Sequence, residues 1–206
     1  LAGTRIDGAV VVAPSVTVVD APIPVVAVDP HTGRSGTSTI EVDNVGGARA
    51  ATEYLIGLGH RRIAHVRGRE DLVSATLREQ GYREALAAAG IPFDPSLVRV
   101  GGYRAAETTD AARELLALPE RPTAIFSAND LSAIRVLEIA AQLGLRVPED
   151  LSVVGFDNVP EAINATPPLT TVAQPLHEMG AEAVRLLLGL LSGELTEEHL
   201  HVPATL

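Results

Sequence analysis

Short apolar runs alternate with longer amphipathic segments along most of this 206-residue chain, and this alternation limits the fold more than any other feature. The short runs are rich in Val and Ile, which is typical of buried strands, whereas the longer segments are rich in Ala and Leu. The predicted strands are Ala9–Ala13, Val25–Val28, Ile63–Val66, Leu97–Val100, Ala124–Phe126 and Leu151–Phe156. The predicted helices are Val45–Leu58, Ala75–Ala89, Ala105–Leu118 and Leu131–Leu143, each followed by Gly or Pro. Successive helix and strand units predict an α/β fold with a parallel, doubly wound sheet.

The regular repeat is interrupted near both ends of the chain. Residues 29–38 read as a polar loop, and residues 164–175 are too rich in proline for a helix but carry a strand-like run, Leu169–Ala173. An amphipathic helix, His177–Leu191, and a final apolar stub follow. We therefore expect two lobes. The predicted boundaries are 1–42 for part of the first lobe, 43–163 for the second, 164–192 for a crossover strand and helix returning to the first, and 193–206 for a segment returning to the second.

The composition excludes several kinds of chemistry. The chain has no Cys, which rules out disulfides and thiolate catalysis, and its 16 basic residues are all Arg, which rules out Schiff-base chemistry and a phosphate loop with its Lys. A net charge of −10 would repel a nucleic-acid backbone. The apolar runs are too short to span a membrane. No nucleophile and base pair, metal-ligand spacing or cofactor motif is visible, so we expect neither an enzyme nor a cofactor.

Polar residues follow two of the predicted strands at the points where they end. Ser127, Asn129 and Asp130 come after one strand, and Asp157 and Asn158 come after the next. Ligands of open parallel sheets bind beyond the carboxyl ends of the strands, so these side chains predict a binding crevice. Two structural alternatives remain open. Asp157 could cap the short segment that follows it, and one of Asn129 and Asp130 must cap the next helix.

The amino-acid sequence of several segments resembles the effector-binding core of bacterial LacI/GalR-type transcription regulators. The resembling segments are IDGAVVVA, IPVVAVD, VDN at 42–44, YLIGLGHRRIAHVRG, SATLREQGYREALAAAGI, FSANDLSAIRVL, VPEDLSVVGFDN, PPLTTVAQP and HEMGAEAVRLLL. The resemblance implies a type I periplasmic-binding-protein-like fold with two doubly wound lobes joined by crossover strands. It also implies that the first lobe is incomplete here, because the helix-turn-helix module, the hinge helix and the first strand and helix of that family have no counterpart in this chain.

The resemblance implies a set of ligand-binding residues: Arg78, Asp157, Asn129, Tyr103, Ser74, Asp29 and Gln174. It gives Asn129 to the ligand and leaves Asp130 as the helix cap. Alternatives remain for several of them. Arg78 could be a solvated helix residue, Tyr103 a helix cap, Asp29 a turn residue before Pro30, and Gln174 a hinge residue. His60, in GLGHRR, is interpreted as structural, close to the end of its helix.

By the same resemblance, the chain senses a small hydroxylated effector, most simply a sugar, in a cleft between the lobes. It would act as a cytoplasmic homodimer without membrane contact and reach DNA only through the missing N-terminal module. The competing interpretation is a secreted sugar-binding receptor of a transport system. That class should carry an export signal and more aromatic stacking groups than the three Tyr and three Phe of this chain.

Overall fold

The computed structural model describes residues 6–14, 22–31, 37–103 and 105–206 of the chain. The chain divides into two compact units. The smaller unit contains Leu1–Asp43 and Pro175–Pro203, and the larger one contains Asn44–Gln174 and Ala204–Leu206. Within the described part, no helix combines the length and apolar character needed to cross a membrane.

Strands and helices alternate through most of the described chain. The strands are β1 (Ala9–Val12), β2 (Val25–Val28), β3 (Ser38–Val42), β4 (Ile63–Arg67), β5 (Val98–Val100), β6 (Ala124–Ser127), β7 (Ser152–Asp157), β8 (Thr170–Ala173) and β9 (His199–Val202). The helices are α1 (Asn44–Gly57), α2 (Val73–Ala88), α3 (Ala105–Leu116), α4 (Asp130–Gln142), α5 (Pro160–Asn164) and α6 (Leu176–Ser192). All the predicted strands and helices are present, with ends shifted by a few residues.

The smaller unit is built on a four-stranded parallel sheet in the order β1-β2-β3-β9. Strand β2, one of the two inner strands, is buried along its whole length, as expected of a strand with neighbours on both sides. Helix α6 packs on this sheet and ends at Gly193, whose φ of 74° closes the helix in the left-handed conformation.

The larger unit is built on a five-stranded parallel sheet in the order β5-β4-β6-β7-β8. Helices α1 and α2 cover one face through a core that includes Leu55, Tyr82 and Phe156. Helices α3 and α4 cover the other face through a core that includes Leu115 and Ile139. Because both faces are covered, the strands of this sheet read as continuous apolar runs, as the sequence pattern indicated.

Two glycines allow α1 to lie unusually close to its neighbours. A Cβ atom on Gly81 of α2 would stand 2.3 Å from the backbone oxygen of Val45, and one on Gly47 of α1 would stand 2.8 Å from the Phe156 ring. Real Cβ atoms do not approach other atoms so closely, so any larger residue would push the helices apart. This close packing brings the start of α1 to the carboxyl end of β7, where the candidate site lies.

The structure corrects the predicted organisation in three respects. Strand β3 begins at Ser38, inside the predicted polar loop 29–38, of which residues 32–36 lie outside the described residues. Strand β8 pairs with β7, so the chain leaves the larger unit after Gln174 and not after residue 163. Strand β9 pairs with β3, so residues 193–203 belong to the smaller unit and not to the second lobe. In each case the backbone pairing, which joins distant segments, decided the assignment.

Candidate functional site

The polar groups of the larger unit gather at the carboxyl edge of its sheet. Strands β6, β7 and β8 are neighbours, and they end at Ser127, Asp157 and Ala173 respectively. Arg78, delivered from α2, donates to Ala128, which follows β6, and to Asp157, the last residue of β7. Gln174, which follows β8, donates to Asp157. Parallel pairing places all three ends together, so the edge predicted from the sequence forms as expected.

Arg78 is the centre of this arrangement. Its side chain is only 4% exposed, its Nε donates to Oδ1 of Asn44 at 2.8 Å, and its Nη1 donates to the backbone oxygen of Ala128 and to Asp157 Oδ1, the latter at 3.2 Å. The guanidinium lies 3.7 Å from the centre of the Phe156 ring. The alternative of a solvated helix arginine is therefore wrong. Within the described residues, Nη2 of Arg78 has no protein acceptor.

Asp157 joins Arg78 to the end of β8. Its Oδ1 accepts from Nη1 of Arg78 and from Nε2 of Gln174 at 2.6 Å, and its side chain keeps 23% exposure. The helix-cap alternative for Asp157 is wrong, because α5 begins after Val159 and has no side-chain cap. The backbone φ of Asp157 is 121°, a value rare for residues with a side chain, and such outliers are concentrated at functional sites.

Asn129, and not Asp130 as predicted, is the cap of the α4 helix. The Asn129 Oδ1 accepts from the backbone N–H of Ser132 at 3.0 Å. Asp130 is fully buried and instead accepts from the backbone N–H of Val159 at 2.9 Å and from the Thr171 hydroxyl. Burial raises the pKa of Asp130. Asp130 thus ties β8 to the loop after β7. Within the described part of the chain, the amide nitrogen of Asn129 makes no hydrogen bond and is available to a ligand.

Ser74 and Tyr103 come after β4 and after β5 along the chain. Ser74 is buried in the first turn of α2, one turn before Arg78. Tyr103 has a φ of 61° and packs its ring over Gly68, where a Cβ atom would stand 2.1 Å from the tyrosine Cζ. The glycine therefore makes room for the aromatic ring beside the end of β4. In contrast, Ser127 is fully buried and does not face a crevice.

Asp29 belongs to the smaller unit. It follows β2 with a φ of 48°, and its N–H donates to the backbone oxygen of Ile40 at 2.7 Å. The chain bends at Asp29, directly before Pro30, and a role of Asp29 in ligand binding stays a prediction.

His60 lies at the opposite, amino-terminal edge of the larger sheet. One ring nitrogen pairs with the Thr123 hydroxyl at 2.9 Å and the other with the Ser152 hydroxyl at 3.0 Å, while burial lowers the pKa of the imidazole. Arg61 donates to the backbone oxygen of Ile56 in the last turn of α1. These contacts support the structural interpretation of this segment. Among the described residues, no three potential metal ligands lie close enough together to hold an ion.

The sequence pattern missed two members of the site. Asn44 was recognised only as part of a resembling segment, and Phe156 only as an apolar strand residue. A polar residue at a predicted helix start is usually explained as a cap, and an aromatic residue in a strand as core, so neither carried a distinguishing signal. Their contact with Arg78 depends on the close approach of α1, α2 and β7.

Parallel sheets with a charged cluster beyond their carboxyl ends are the features of a periplasmic-binding-protein-like domain, and the family model of that description matches residues 52–206. The chain is 46% identical over 160 residues to the HTH-type transcriptional regulator CelR of Thermobifida fusca, which covers 78% of this chain and 47% of the relative. The chain therefore spans about half the length of that curated relative.

Solved structures agree with this assignment. A CelR–cellobiose complex matches with a TM-score of 0.87 and 39% identity over 98% of this chain and 64% of that one. A regulatory protein of the LacI family from Chloroflexus aggregans matches with a TM-score of 0.86 and 33% identity over 97% of this chain and 74% of that one. The chain belongs to the LacI family of transcriptional regulators. The family consists of regulators and not of enzymes, which agrees with the absence of catalytic motifs from the sequence.

Proposed function

We propose that this chain is the effector-sensing part of a bacterial transcriptional regulator and that it binds a small hydroxylated ligand at the carboxyl edge of the five-stranded sheet. The observation that carries the proposal is the ion pair of buried Arg78 and partly exposed Asp157, with Gln174 on the same carboxylate oxygen. Burial of the Arg78 charge has a large desolvation cost, and this guanidinium lies at the carboxyl edge of the sheet, where a ligand can accept a hydrogen bond from its Nη2.

The chemistry of the cluster fits a sugar. Nη2 of Arg78 can donate to ring or hydroxyl oxygens, the Asp157 carboxylate can accept from hydroxyl groups, and the Asn129 amide nitrogen can donate. An aromatic ring such as that of Tyr103 offers an apolar face to a pyranose. The relative CelR has been solved in complex with cellobiose, which is a sugar. Ser74, Gln174 and Asp29 complete the proposed set of ligand contacts.

The remaining parts of the proposal concern the whole protein. We propose that it works in the cytoplasm as a homodimer and that ligand binding controls DNA binding through an N-terminal helix-turn-helix module not contained in this sequence. Coupling of this kind requires only that the ligand prefer one arrangement of the protein, with typical coupling free energies of about 1–3 kcal/mol. The alternative of a transport receptor gains no support from relatives that are regulators.

Thermal unfolding with cellobiose and ribose tests the ligand class and the site together. A sugar present at about 100 times its Kd should stabilise the folded chain by about 2.7 kcal/mol. Arg78→Ala and Asp157→Ala should each abolish this shift, because each removes a direct ligand contact. Arg49→Ala is the matched control, since Arg49 is half exposed on α1 and should leave the shift intact.

Two different outcomes would contradict the proposal. A shift that persists in both site variants would mean that the ligand binds elsewhere. If neither sugar stabilises the unaltered chain, neither cellobiose nor ribose is a ligand of this site.

A further inference from the structure

We propose that Asn44 is a positioning residue that fixes the orientation of Arg78 for ligand binding. The consequence for the ligand rests on the proposed function, whereas the positioning itself does not. Asn44 is the first residue of the larger unit and the first of α1, and its side chain is buried at 4% exposure. Its Oδ1 accepts from Nε of Arg78 at 2.8 Å, across 34 residues of sequence.

The bond to Nε determines where the guanidinium points. A guanidinium is planar, so its orientation is set once two of its edges are held. Asn44 holds the Nε edge, Ala128 and Asp157 hold Nη1, and the Phe156 ring supports the plane at 3.7 Å. With these contacts in place Nη2 can point in only one direction. Without Asn44 the group could rotate about its bond to the aliphatic stem, and Nη2 would lose its fixed direction.

An amide at position 44 also avoids placing a second negative charge beside Arg78. Among the described residues, Asp157 is the one carboxylate within ion-pair distance of Arg78. An acid at position 44 would add a second negative charge to the cluster, whereas the neutral amide accepts a hydrogen bond without adding charge. The positive field of Arg78 therefore remains available to the oxygen atoms of a ligand.

The packing of α1 keeps Asn44 in place. Gly81 lets α2 approach the backbone of Val45, and Gly47 lets α1 lie against the Phe156 ring. Val45, the residue next to Asn44, is therefore packed against α2. Helix α1 itself packs against the Phe156 ring, which also contacts Arg78. An exposed asparagine on a loop would have no comparable restraint.

Hydrogen exchange of the Arg78 Nε proton tests the positioning in the chain without ligand. The NMR signal is assigned by its loss in Arg78→Lys, and its exchange with water should be at least tenfold faster in Asn44→Ala. Asn44→Asp keeps an acceptor oxygen and should retain slow exchange. Asn164→Ala, which changes an exposed asparagine on α5, is the matched control and should leave the signal unchanged.

A cellobiose titration of the same variants tests the consequence for binding. Asn44→Ala should raise the Kd for cellobiose at least tenfold, with Asn164→Ala unaffected. If Asn44→Ala does not fold, Asn44→Ser replaces it in both tests, because the serine side chain is too short to reach Nε of Arg78. Unchanged Nε exchange in the variants that lack the acceptor would overturn the positioning role. If cellobiose does not bind the unaltered chain, the consequence for cellobiose binding fails, and the exchange rates alone decide the role of Asn44.

Discussion

Arg78 carries a positive charge at a position with only 4% exposure, so its partners must compensate the loss of hydration. The sequence identified this residue by its resemblance to a family segment. It could not identify the compensation, because Asn44, Ala128 and Asp157 lie far from Arg78 along the chain. Asn129 and Asp130 illustrate the same limit. Both are good helix caps, and only the packing of Asp130 against the β7 and β8 ends decided between them.

His65 provides a prediction at the same scale. Its ring is fully buried between those of Tyr82 and Phe126, with centroid distances of 5.2 and 4.9 Å, and one nitrogen pairs with the Phe126 backbone oxygen at 3.0 Å. Burial lowers the pKa of His65 from 6.5 to about 4. Between these values the unfolded chain binds a proton and the folded chain does not, so acid favours unfolding.

We expect the free energy of unfolding to fall as the pH decreases from 6.5 to 4, with His65 contributing at most about 1.4 kcal/mol per pH unit. Denaturant unfolding at several pH values measures this slope. His65→Gln should flatten the slope relative to the unaltered chain, and His177→Gln, at an exposed position, should not. A slope that is equal in His65→Gln and the unaltered chain would contradict the prediction.

At the scale of elements, the contact between α1 and α2 depends on the glycines at their crossing. The periodicity of both helices was clear from the sequence, but their separation was not, because it depends on which small residues meet. A Cβ atom on Gly81 would stand 2.3 Å from the Val45 backbone oxygen and 2.9 Å from the Ala48 Cβ. Backbone cannot move aside as a flexible side chain can, so the helices themselves would have to shift.

Gly81→Ala is therefore expected to destabilise the chain by about 1–3 kcal/mol, the usual cost of overpacking. Because α2 carries Arg78, Gly81→Ala should also weaken the binding of any ligand that contacts Arg78. Gly57→Ala on α1 is the control, since no atom lies within 4 Å of the position that its Cβ would occupy. Equal unfolding midpoints for the two variants in urea would show that the crossing tolerates the extra atom.

For the whole molecule, the net charge of −10 gives the clearest expectation. Negative charge of this size repels the phosphate backbone, and we expect this chain to bind no DNA at physiological salt. A gel-shift assay with excess competitor DNA checks this. A complex that survives the competitor would show that the chain itself reads DNA, and the proposal that a separate module does so would be wrong.

The sequence alone determined the order of most strands and helices, with β3, β9 and the short α5 as exceptions, the parallel α/β class, and the exclusion of thiol, lysine and phosphate-loop chemistry. These properties depend on residue type and local periodicity, which each segment carries by itself. Only the tertiary structure decided that β9 pairs with β3, that β8 completes the larger sheet, and that Asn44 and Phe156 hold Arg78. The physical reason is that pairing, burial and the direction of a hydrogen bond arise between segments distant in sequence, and no local pattern encodes which partners will meet.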